Sequence, residues 1–282
     1  MKVIFAKNIG FCPGVKRAIA IAEKSLREDP KSIQFLGSLI HNEKILEKFI
    51  GKGVKFRRNL REVKPGTLII QAHGFSPFSI KKVLIRDATC LLVKKVQLIA
   101  NSLYKKGCQV IIIGDKKHSE TKGIKGYTKN TALIIENKNQ AKKLLKFGKI
   151  GVVAQTTQCL DNVNEILKIL KNKKVKYFNT LCPEVQARQR ELNLLLKKVG
   201  GILVIGSRDS ANTKRLFQIA KNSKKLVWWV NSLKELKRRK IKNLQTLGVI
   251  SGTSTPNQEI EKIKKYLKKA KRSSSSSSPS LP

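Results

Sequence analysis

The sequence predicts an α/β protein made of three similar units, each with a mainly parallel sheet. One observation is that short apolar segments of strand length alternate with segments whose apolar residues recur at helical spacing. Such alternation is typical of βαβ units and parallel sheets. Another is a cysteine placed just before a helical segment at three points along the chain. The predicted strands are KVIFA, SIQFLG, TLIIQA, CQVIIIG, TALIIE, KIGVVA, GILVIG, LVWWV and LGVIS.

The three helices that follow a cysteine begin after Cys12, Cys90 and Cys182. Proline comes directly after the first and third of these cysteines, and proline suits the first turn of a helix. The cysteines are 78 and 92 positions apart, which indicates a weak three-fold repeat. The apolar faces predicted for the three helices are Val15, Ile19, Ala22 and Leu26; Val93, Val96, Ala100 and Leu103; and Val185, Gln189, Leu192 and Leu195.

A cysteine at a helix N-terminus has its thiolate stabilised by the helix dipole. Three converging thiolates would suit a sulfur-liganded metal cluster, although small cysteines that simply fill buried junctions remain the alternative at this point. Cys108 opens a predicted strand and is expected in the core. Cys159 also lies near a helix start, so spacing alone leaves it open as a fourth ligand. No CxxC pair occurs, which argues against a zinc finger and a disulfide framework.

Polar side chains follow six of the predicted strands. In open α/β sheets ligands bind outside the carboxyl ends of strands, and Ser, Thr, Asn and His near helix N-termini suit phosphate. Any one of these groups could also be an ordinary helix cap. Six of them together predict a phosphate-binding pocket that contains one carboxylate, Glu120. The residues are His41 with Asn42; His73; His118 with Glu120; Thr156 with Thr157; Ser207, Ser210, Asn212 and Thr213; and Ser251 with Ser254.

The composition is strongly basic, with a formal net charge of +42 over 282 residues. The lysines are scattered in ones and twos, which indicates a solvated surface that attracts acidic partners and phosphorylated substrates. The charge by itself also fits a basic nucleic-acid-binding protein, which is the alternative hypothesis. Aromatic residues make up only 6% and no nucleic-acid-binding module is recognised, and both observations argue against it. No apolar stretch approaches the roughly 18 residues of a membrane span. We therefore expect a cytoplasmic protein without membrane contact.

Nine motifs occur in order between residues 10 and 256: GFCPGV, HNE, AHG, DATC, HSE followed by KG, QTT, NTLC with a later RQ, IGSRDSANTKRL and SGTSTP. Together they resemble the 4-hydroxy-3-methylbut-2-enyl diphosphate reductase family. The resemblance implies three α/β lobes in a pseudo-three-fold arrangement around a central 4Fe–4S cluster. The expected lobes are 13–90, 91–181 and 182–270, the last joined by the N-terminal segment 1–12. Residues 271–282 form a low-complexity, Ser-rich tail that we expect to be disordered.

The resemblance also implies roles for individual residues. The cluster would be held by Cys12, Cys90 and Cys182, which leaves one iron open to substrate and gives Cys159 no role. Glu120 would be the proton source, with Thr156 beside the substrate hydroxyl. The diphosphate would be bound by His41, His73, His118, Ser210, Asn212 and Ser254.

The activity that the resemblance implies is a two-electron reductive dehydration of an allylic diphosphate. Its products would be isopentenyl diphosphate and dimethylallyl diphosphate, as the last step of the methylerythritol phosphate route to isoprenoids. A side chain cannot supply the single electrons, whereas an iron–sulfur cluster can. The expected electron donor is a small acidic ferredoxin or flavodoxin, which a basic surface would steer.

The chain departs from the usual family pattern at four positions. Leu91 stands where proline commonly follows the second cysteine, and Gln97 where a histidine often ends that motif. Ser119 replaces a proline between histidine and glutamate, and Ala211 replaces the second serine of a Ser-Ser-Asn triplet. Loss of that hydroxyl predicts weaker diphosphate binding. A relative that keeps the cluster but no longer turns over is therefore a further alternative.

Overall fold

The computed structural model describes residues 1–171, 174–239, 241 and 244–273 of the chain. Within these residues, the strands form three four-stranded sheets, and neighbouring strands are parallel. The strands are β1 Lys2–Phe5, β2 Ile33–Leu36, β3 Lys55–Arg57, β4 Gly66–Ile70, β5 Val83–Asp87, β6 Gln109–Ile113, β7 Leu133–Ile135, β8 Lys149–Ala154, β9 Lys174–Tyr177, β10 Gly201–Ile205, β11 Leu226–Val230 and β12 Thr246–Ser251.

Helices connect most of the parallel strands, as crossover connections between parallel neighbours usually do. In the described chain, β3 and β4 are joined through a 3-10 turn, Leu60–Glu62, and β4 and β5 without a helix. In the described part of the chain, no helix is long and apolar enough to cross a membrane. The helices are α1 Pro13–Glu28, α2 Glu43–Ile50, α3 Leu91–Lys105, α4 Ser119–Gly126, α5 Lys138–Ala141, α6 Leu160–Leu170, α7 Pro183–Leu196, α8 Ala211–Asn222, α9 Leu233–Lys237 and α10 Asn257–Ser273.

The three sheets share one strand order. Sheet B runs β3-β2-β4-β5 and sheet C runs β7-β6-β8-β9, so each places its first and third strands at the centre. Sheet A has the same order, β11-β10-β12-β1, except that its fourth strand comes from the N-terminus of the chain. The predicted α/β class with three parallel-sheet lobes is confirmed.

All nine predicted strands form, and their buried central members carry the core. Strands β3, β5 and β9 are not among those predicted from the sequence. Each of these is an edge strand of at most five residues, and none of their residues is buried. Strands β3 and β9 contain no continuous apolar run, so the signal used for prediction is absent there. Strand β5 does contain one, residues 83–85, but leaves it unburied at the edge of its sheet.

The helices that follow the three cysteines bury most of the faces predicted for them. In α3, Val93, Val96, Ala100 and Leu103 are buried, and the predicted face of α7 is buried as well. Helix α1 is rotated slightly from the prediction. It buries Ala18 and Ser25 together with Val15 and Ala22, and leaves Ile19 and Leu26 half-exposed at the flank of the contact. Small side chains on the buried face allow close approach of the backbone.

The chain divides into two compact units, Pro13–Gln186 and the combination of Met1–Cys12 with Ala187–Pro282. Sheets B and C belong to the first unit and sheet A to the second. The boundaries expected near residues 90 and 182 stay a prediction. Helix α10 includes residues 271–273 of the expected tail, and the rest of that tail lies outside the described residues.

Candidate active site

In each sheet the fourth strand leads to one of the three cysteines and then to a helix. Cys90 follows β5 and precedes α3, Cys182 follows β9 and precedes α7, and Cys12 follows β1 and precedes α1. The backbone N–H of each cysteine donates to a carbonyl beyond the adjacent third strand. The acceptors are Ala72 for Cys90 (2.9 Å), Thr156 for Cys182 (2.9 Å) and Thr253 for Cys12 (3.1 Å). The three cysteines therefore occupy equivalent positions in three copies of one substructure.

The acceptor carbonyls belong to three equivalent tight turns. The turns span residues 71–74, 155–158 and 252–255, and each is closed by an N–H donated from its fourth residue to the carbonyl of its first, at 3.0 to 3.2 Å. The cysteine always bonds to the second residue. The third residue is His73, Thr157 or Ser254. In each turn, the residue that hydrogen-bonds to the cysteine backbone is therefore followed directly by a polar residue.

The two remaining cysteines differ from this pattern. Cys108 is 7% exposed and packs in the core cluster of α3 and β6, as predicted. Cys159 caps α6, which follows the turn at 155–158 directly and not a fourth strand. Its position is therefore not equivalent to those of Cys12, Cys90 and Cys182, although it too precedes a helix.

The three histidines of the chain lie together in the unit that contains sheets B and C. The ring centroids of His41 and His73 are 3.9 Å apart, and that of His118 lies 4.9 Å from His41 and 5.5 Å from His73. His41 lies between β2 and α2, His73 follows β4, and His118 is the N-cap of α4 after β6. The prediction from strand ends had placed these side chains in one pocket, and the structure brings them together.

The electrostatics of this cluster favour a neutral imidazole at His73. Burial lowers the pKa of His73 well below 6.5, and the neighbouring His41 and His118 lower it further. Nδ1 of His73 is buried and makes no hydrogen bond to any residue that the structure describes. The Nδ1 atom of His118 accepts the N–H of Glu120 at 3.1 Å, so the proton of a neutral His118 ring is on Nε2.

Glu120 is 1% exposed and lies in the first turn of α4. Both of its carboxylate oxygens accept hydrogen bonds from Thr156, Oε1 from the backbone N–H at 2.7 Å and Oε2 from the hydroxyl at 3.0 Å. Burial raises the pKa of Glu120 to about 7, the bonds from Thr156 oppose this rise, and Asp115 adds to it. The carboxyl can therefore hold and release a proton near neutral pH.

Thr156 connects this acid to a cysteine. Its N–H and hydroxyl donate to Glu120, while its carbonyl accepts the N–H of Cys182 at 2.9 Å. The hydrogen bonds thus join both residues to one residue of the 155–158 turn. The sequence motif QTT predicted polar groups here, but only the folded chain shows that one threonine contacts both partners.

A second polar group lies in the unit that contains sheet A. Ser210 is the N-cap of α8 and accepts the N–H of Thr213, and Asn212 is two residues further on. The same offset from an N-cap separates Glu120 from His118. Asn212 is 1% exposed, and within the described residues neither its Nδ2 nor its Oδ1 has a hydrogen-bond partner. A buried amide without partners costs free energy unless a ligand satisfies it. Ser254, at the third turn position, is 5% exposed.

The residues that depart from the family pattern have different surroundings. Gln97 is 2% exposed and lies against Gly74, whose φ of +73° and close contact with the Gln97 amide leave no room for a Cβ. Leu91 is 64% exposed at the start of α3. Ala211 is buried at the first position of α8. Gln97 thus packs beside the turn that carries His73, Leu91 faces solvent, and Ala211 lies between Ser210 and Asn212 in the chain.

A buried arginine supports the segment that carries Cys12. Arg188, in α7, is 2% exposed and donates to the carbonyls of Gly10 at 2.7 Å and Ser251 at 2.9 Å. The N–H of Gly10 in turn donates to the Ser251 hydroxyl at 2.8 Å. Gly10 has a φ of +86°, which favours glycine. No role for Arg188 is predicted from the sequence. The RQ motif was its only signal.

Comparison with known proteins agrees with the motifs. The sequence profile of the LytB protein family matches residues 3–268. A 4-hydroxy-3-methylbut-2-enyl diphosphate reductase of Dictyoglomus thermophilum is 39% identical over 243 residues, 84% of this chain and 85% of that protein. The protein of the same name from Geobacter metallireducens is 36% identical over 78% of this chain and 80% of its own length.

Solved structures support the same assignment. The E-1-hydroxy-2-methyl-but-2-enyl-4-diphosphate reductase of Plasmodium falciparum superposes with a TM-score of 0.88 and 31% identity, over 94% of this chain and 87% of that one. A structure described as (E)-4-hydroxy-3-methyl-but-2-enyl diphosphate reductase, the terminal enzyme of the non-mevalonate pathway, gives a TM-score of 0.67 and 32% identity. The match covers 95% of this chain and 100% of that one. The chain belongs to the LytB protein family.

Proposed function

We propose that the protein is a 4-hydroxy-3-methylbut-2-enyl diphosphate reductase, which converts its allylic diphosphate to isopentenyl diphosphate and dimethylallyl diphosphate. Two electrons and two protons are consumed, and the hydroxyl leaves as water. The observation that carries the proposal is the contact of Thr156 with both Glu120 and the backbone of Cys182. The proposed proton source and a proposed sulfur ligand are thereby bonded to the same residue of the 155–158 turn.

The proposal includes a 4Fe–4S cluster held by Cys12, Cys90 and Cys182. Their fit rests on three observations: each is present as a half-buried thiol, each precedes a helix, and each has its backbone bonded to an equivalent turn. When bound, such a cluster supplies single electrons and a Lewis-acidic iron. Iron ligation by thiolates also requires reduced cysteines, which supports a cytoplasmic location.

The diphosphate of the substrate is bound by the histidine cluster and by the polar residues of α8 and the 252–255 turn. His41, His73 and His118 offer ring nitrogens as donors, and a nearby anion would raise the low pKa of His73. Asn212 offers a buried amide whose atoms lack other partners within the described chain. Ser210 and Ser254 add hydroxyls. Thr157 joins this set, because its turn position matches those of His73 and Ser254 and its buried hydroxyl bonds to no described group.

The proton for the leaving hydroxyl comes from Glu120. With a pKa of about 7 this carboxyl is half protonated at neutral pH, and burial keeps the proton from exchanging freely with solvent. The Thr156 hydroxyl can both accept and donate, so it can hold the substrate hydroxyl beside the acid. Once the proton has left, the two hydrogen bonds from Thr156 stabilise the carboxylate.

The electron donor in this proposal is a small acidic ferredoxin or flavodoxin, in keeping with the +42 charge of the chain. The nucleic-acid alternative is not favoured, because the family, the relatives and the solved structures all point to the reductase.

The test is turnover by the reconstituted enzyme. The protein is loaded with iron and sulfide under anaerobic conditions and given the allylic diphosphate with reduced methyl viologen. We expect both isoprenoid diphosphates as products, with Cys108→Ala active and Cys90→Ser inactive. A bound cluster without turnover would identify an inactive relative and would contradict the proposal.

A further inference from the structure

The outer face of α3 carries an apolar patch bordered by lysines. Leu91 is 64% exposed and Leu98 is 57% exposed, and their spacing of seven places them on one side of the helix. Lys94, Lys95 and Ser102 are exposed on the same side, and Ile99 is half-exposed beside them. We call these six residues the α3 patch.

The charge around the patch is mainly positive. Lys94 pairs with Asp87 at 2.8 Å, but both partners are well exposed, so the pair is weak and screened by salt. Lys95 lies on the same turn of the helix, and the positive charge of Arg17 is close enough to act on the pKa of Lys94 in the lowering direction. An acidic surface would thus meet two exposed leucines inside a basic border.

The patch begins next to a proposed cluster ligand. Helix α3 starts at Leu91, directly after Cys90, and the Cys90 carbonyl accepts the N–H of Lys94 at 2.9 Å. Leu98 is eight residues from Cys90, about 12 Å along the helix axis. Electron transfer weakens steeply with distance, so a carrier bound on this face would be well placed to deliver electrons.

We propose that the α3 patch is the docking surface for a small acidic one-electron carrier protein. This inference rests on the proposed function, whose reaction consumes two electrons from outside the chain. Each reduced carrier gives up one electron and leaves oxidised, so two successive dockings supply one turnover. Interfaces of redox carriers are small and brief, and a compact apolar centre with complementary charge around it is suited to them.

A second copy of this chain is a poorer occupant of the same face. Two copies that met through the patch in a symmetric contact would oppose Lys94 and Lys95 of one to the same residues of the other. The net charge of +42 per chain adds long-range repulsion. An acidic carrier removes both costs, which is why the charge favours it.

The test compares Leu98→Glu with Leu194→Glu in the cluster-loaded enzyme. Leu194 lies in α7 and is also 57% exposed, so the two variants introduce the same charge at equally exposed helical leucines. The probes are a reduced plant-type [2Fe–2S] ferredoxin and a reduced flavodoxin. Binding is measured by calorimetry at two salt concentrations, and cluster reduction by stopped-flow absorbance.

We expect Leu98→Glu to weaken carrier binding at least about 10-fold and to slow cluster reduction by the carrier, because it places a negative charge at the apolar centre. Leu194→Glu should change binding less than about 2-fold. With methyl viologen as donor, both variants should turn over like the wild type. Lys95→Gln should reduce the salt dependence of binding.

The proposal is overturned if neither carrier binds or reduces the wild-type enzyme, or if both glutamate variants behave alike with the carriers. It is also overturned if sedimentation shows a wild-type dimer that Leu98→Glu dissociates, since a second copy would then cover the patch. Failure of the proposed function is a separate result. It would be seen as absent turnover with methyl viologen, whereas the binding measurements would still report on the patch.

Discussion

Replacement of Glu120 by glutamine tests the proposed acid most directly. Burial raises the pKa of this carboxyl from 4.5 to about 7, against the opposing hydrogen bonds from Thr156. At pH 7 about half of the molecules then carry the acid form, whereas a carboxyl with an ordinary pKa would do so in about one molecule in 300. Glutamine keeps the shape and can hydrogen-bond to Thr156 but cannot donate a proton to the leaving hydroxyl.

The expected result is a loss of turnover with a characteristic pH dependence. The protonated form is the active one, so wild-type turnover should decline as the pH rises through about 7. Glu120→Gln should lower turnover at least about 100-fold at pH 6 and show no decline centred near 7. Thr156→Val removes a hydrogen bond to the ionised carboxylate, so it should raise the pKa of Glu120 and move the decline to higher pH.

The same burial has a measurable effect on stability. The folded state binds the Glu120 proton more tightly than the unfolded state, so this stabilisation is complete below pH 4.5 and is lost as the pH rises to about 7. Relative to wild type, Glu120→Gln should therefore gain about 2–3 kcal/mol in free energy of unfolding between pH 5 and pH 8. Urea unfolding of the two proteins at both pH values measures the gain.

The assay for turnover is product formation from the allylic diphosphate with reduced methyl viologen, on enzyme whose cluster spectrum is intact. Glu120→Gln should still bind the diphosphate, and this distinguishes loss of the proton source from loss of substrate binding. Near-normal turnover of this variant would show that the proton comes from another group. A stability difference that does not change with pH would show that the carboxyl is not the buried, proton-binding group described above.

Serine in place of a proposed ligand cysteine, in Cys12→Ser, Cys90→Ser or Cys182→Ser, should abolish bound iron and sulfide. Cys108→Ala and Cys159→Ala should preserve both, as metal and sulfide analysis would show. Loss of iron in Cys159→Ala would require a fourth cysteine ligand. Asn212→Ala should raise the KM for the allylic diphosphate about 10-fold or more, because the hydrogen bond from the Asn212 amide to the charged diphosphate is lost. Ala211→Ser should lower the KM by restoring a hydroxyl. Unchanged KM values in steady-state assays would count against a substrate contact at α8. Gly74→Ala should cost about 1–3 kcal/mol in free energy of unfolding, since the positive φ and the contact with Gln97 both oppose a Cβ, and wild-type stability by denaturant unfolding would refute this. Nucleic-acid binding by the wild type should be nearly lost at physiological salt, and tight, sequence-selective binding in a filter assay under those conditions would revive the alternative hypothesis.

Much of the candidate site could be predicted because its signals are local. A cysteine before a helix, a proline in the first helical turn and a histidine after a strand are visible within a few residues. The three histidines were expected in one pocket, and their ring centroids lie within 5.5 Å of one another. The contacts of Thr156 could not be predicted, because Glu120 and Cys182 are 36 and 26 positions away from it and only sheet packing brings them together.

By itself, the sequence determined the α/β class, nine of the strands and the helix starts after three cysteines, because apolar patterns and helix-start signals are properties of short segments. The tertiary structure alone decided three further matters. It paired the short edge strands β3, β5 and β9, none of whose residues is buried, and it distinguished Cys159 from the equivalent cysteines through their backbone bonds to the three turns. It also set the pKa of Glu120, because the solvent excluded from a carboxyl and the donors that reach it come from parts of the chain far apart in sequence.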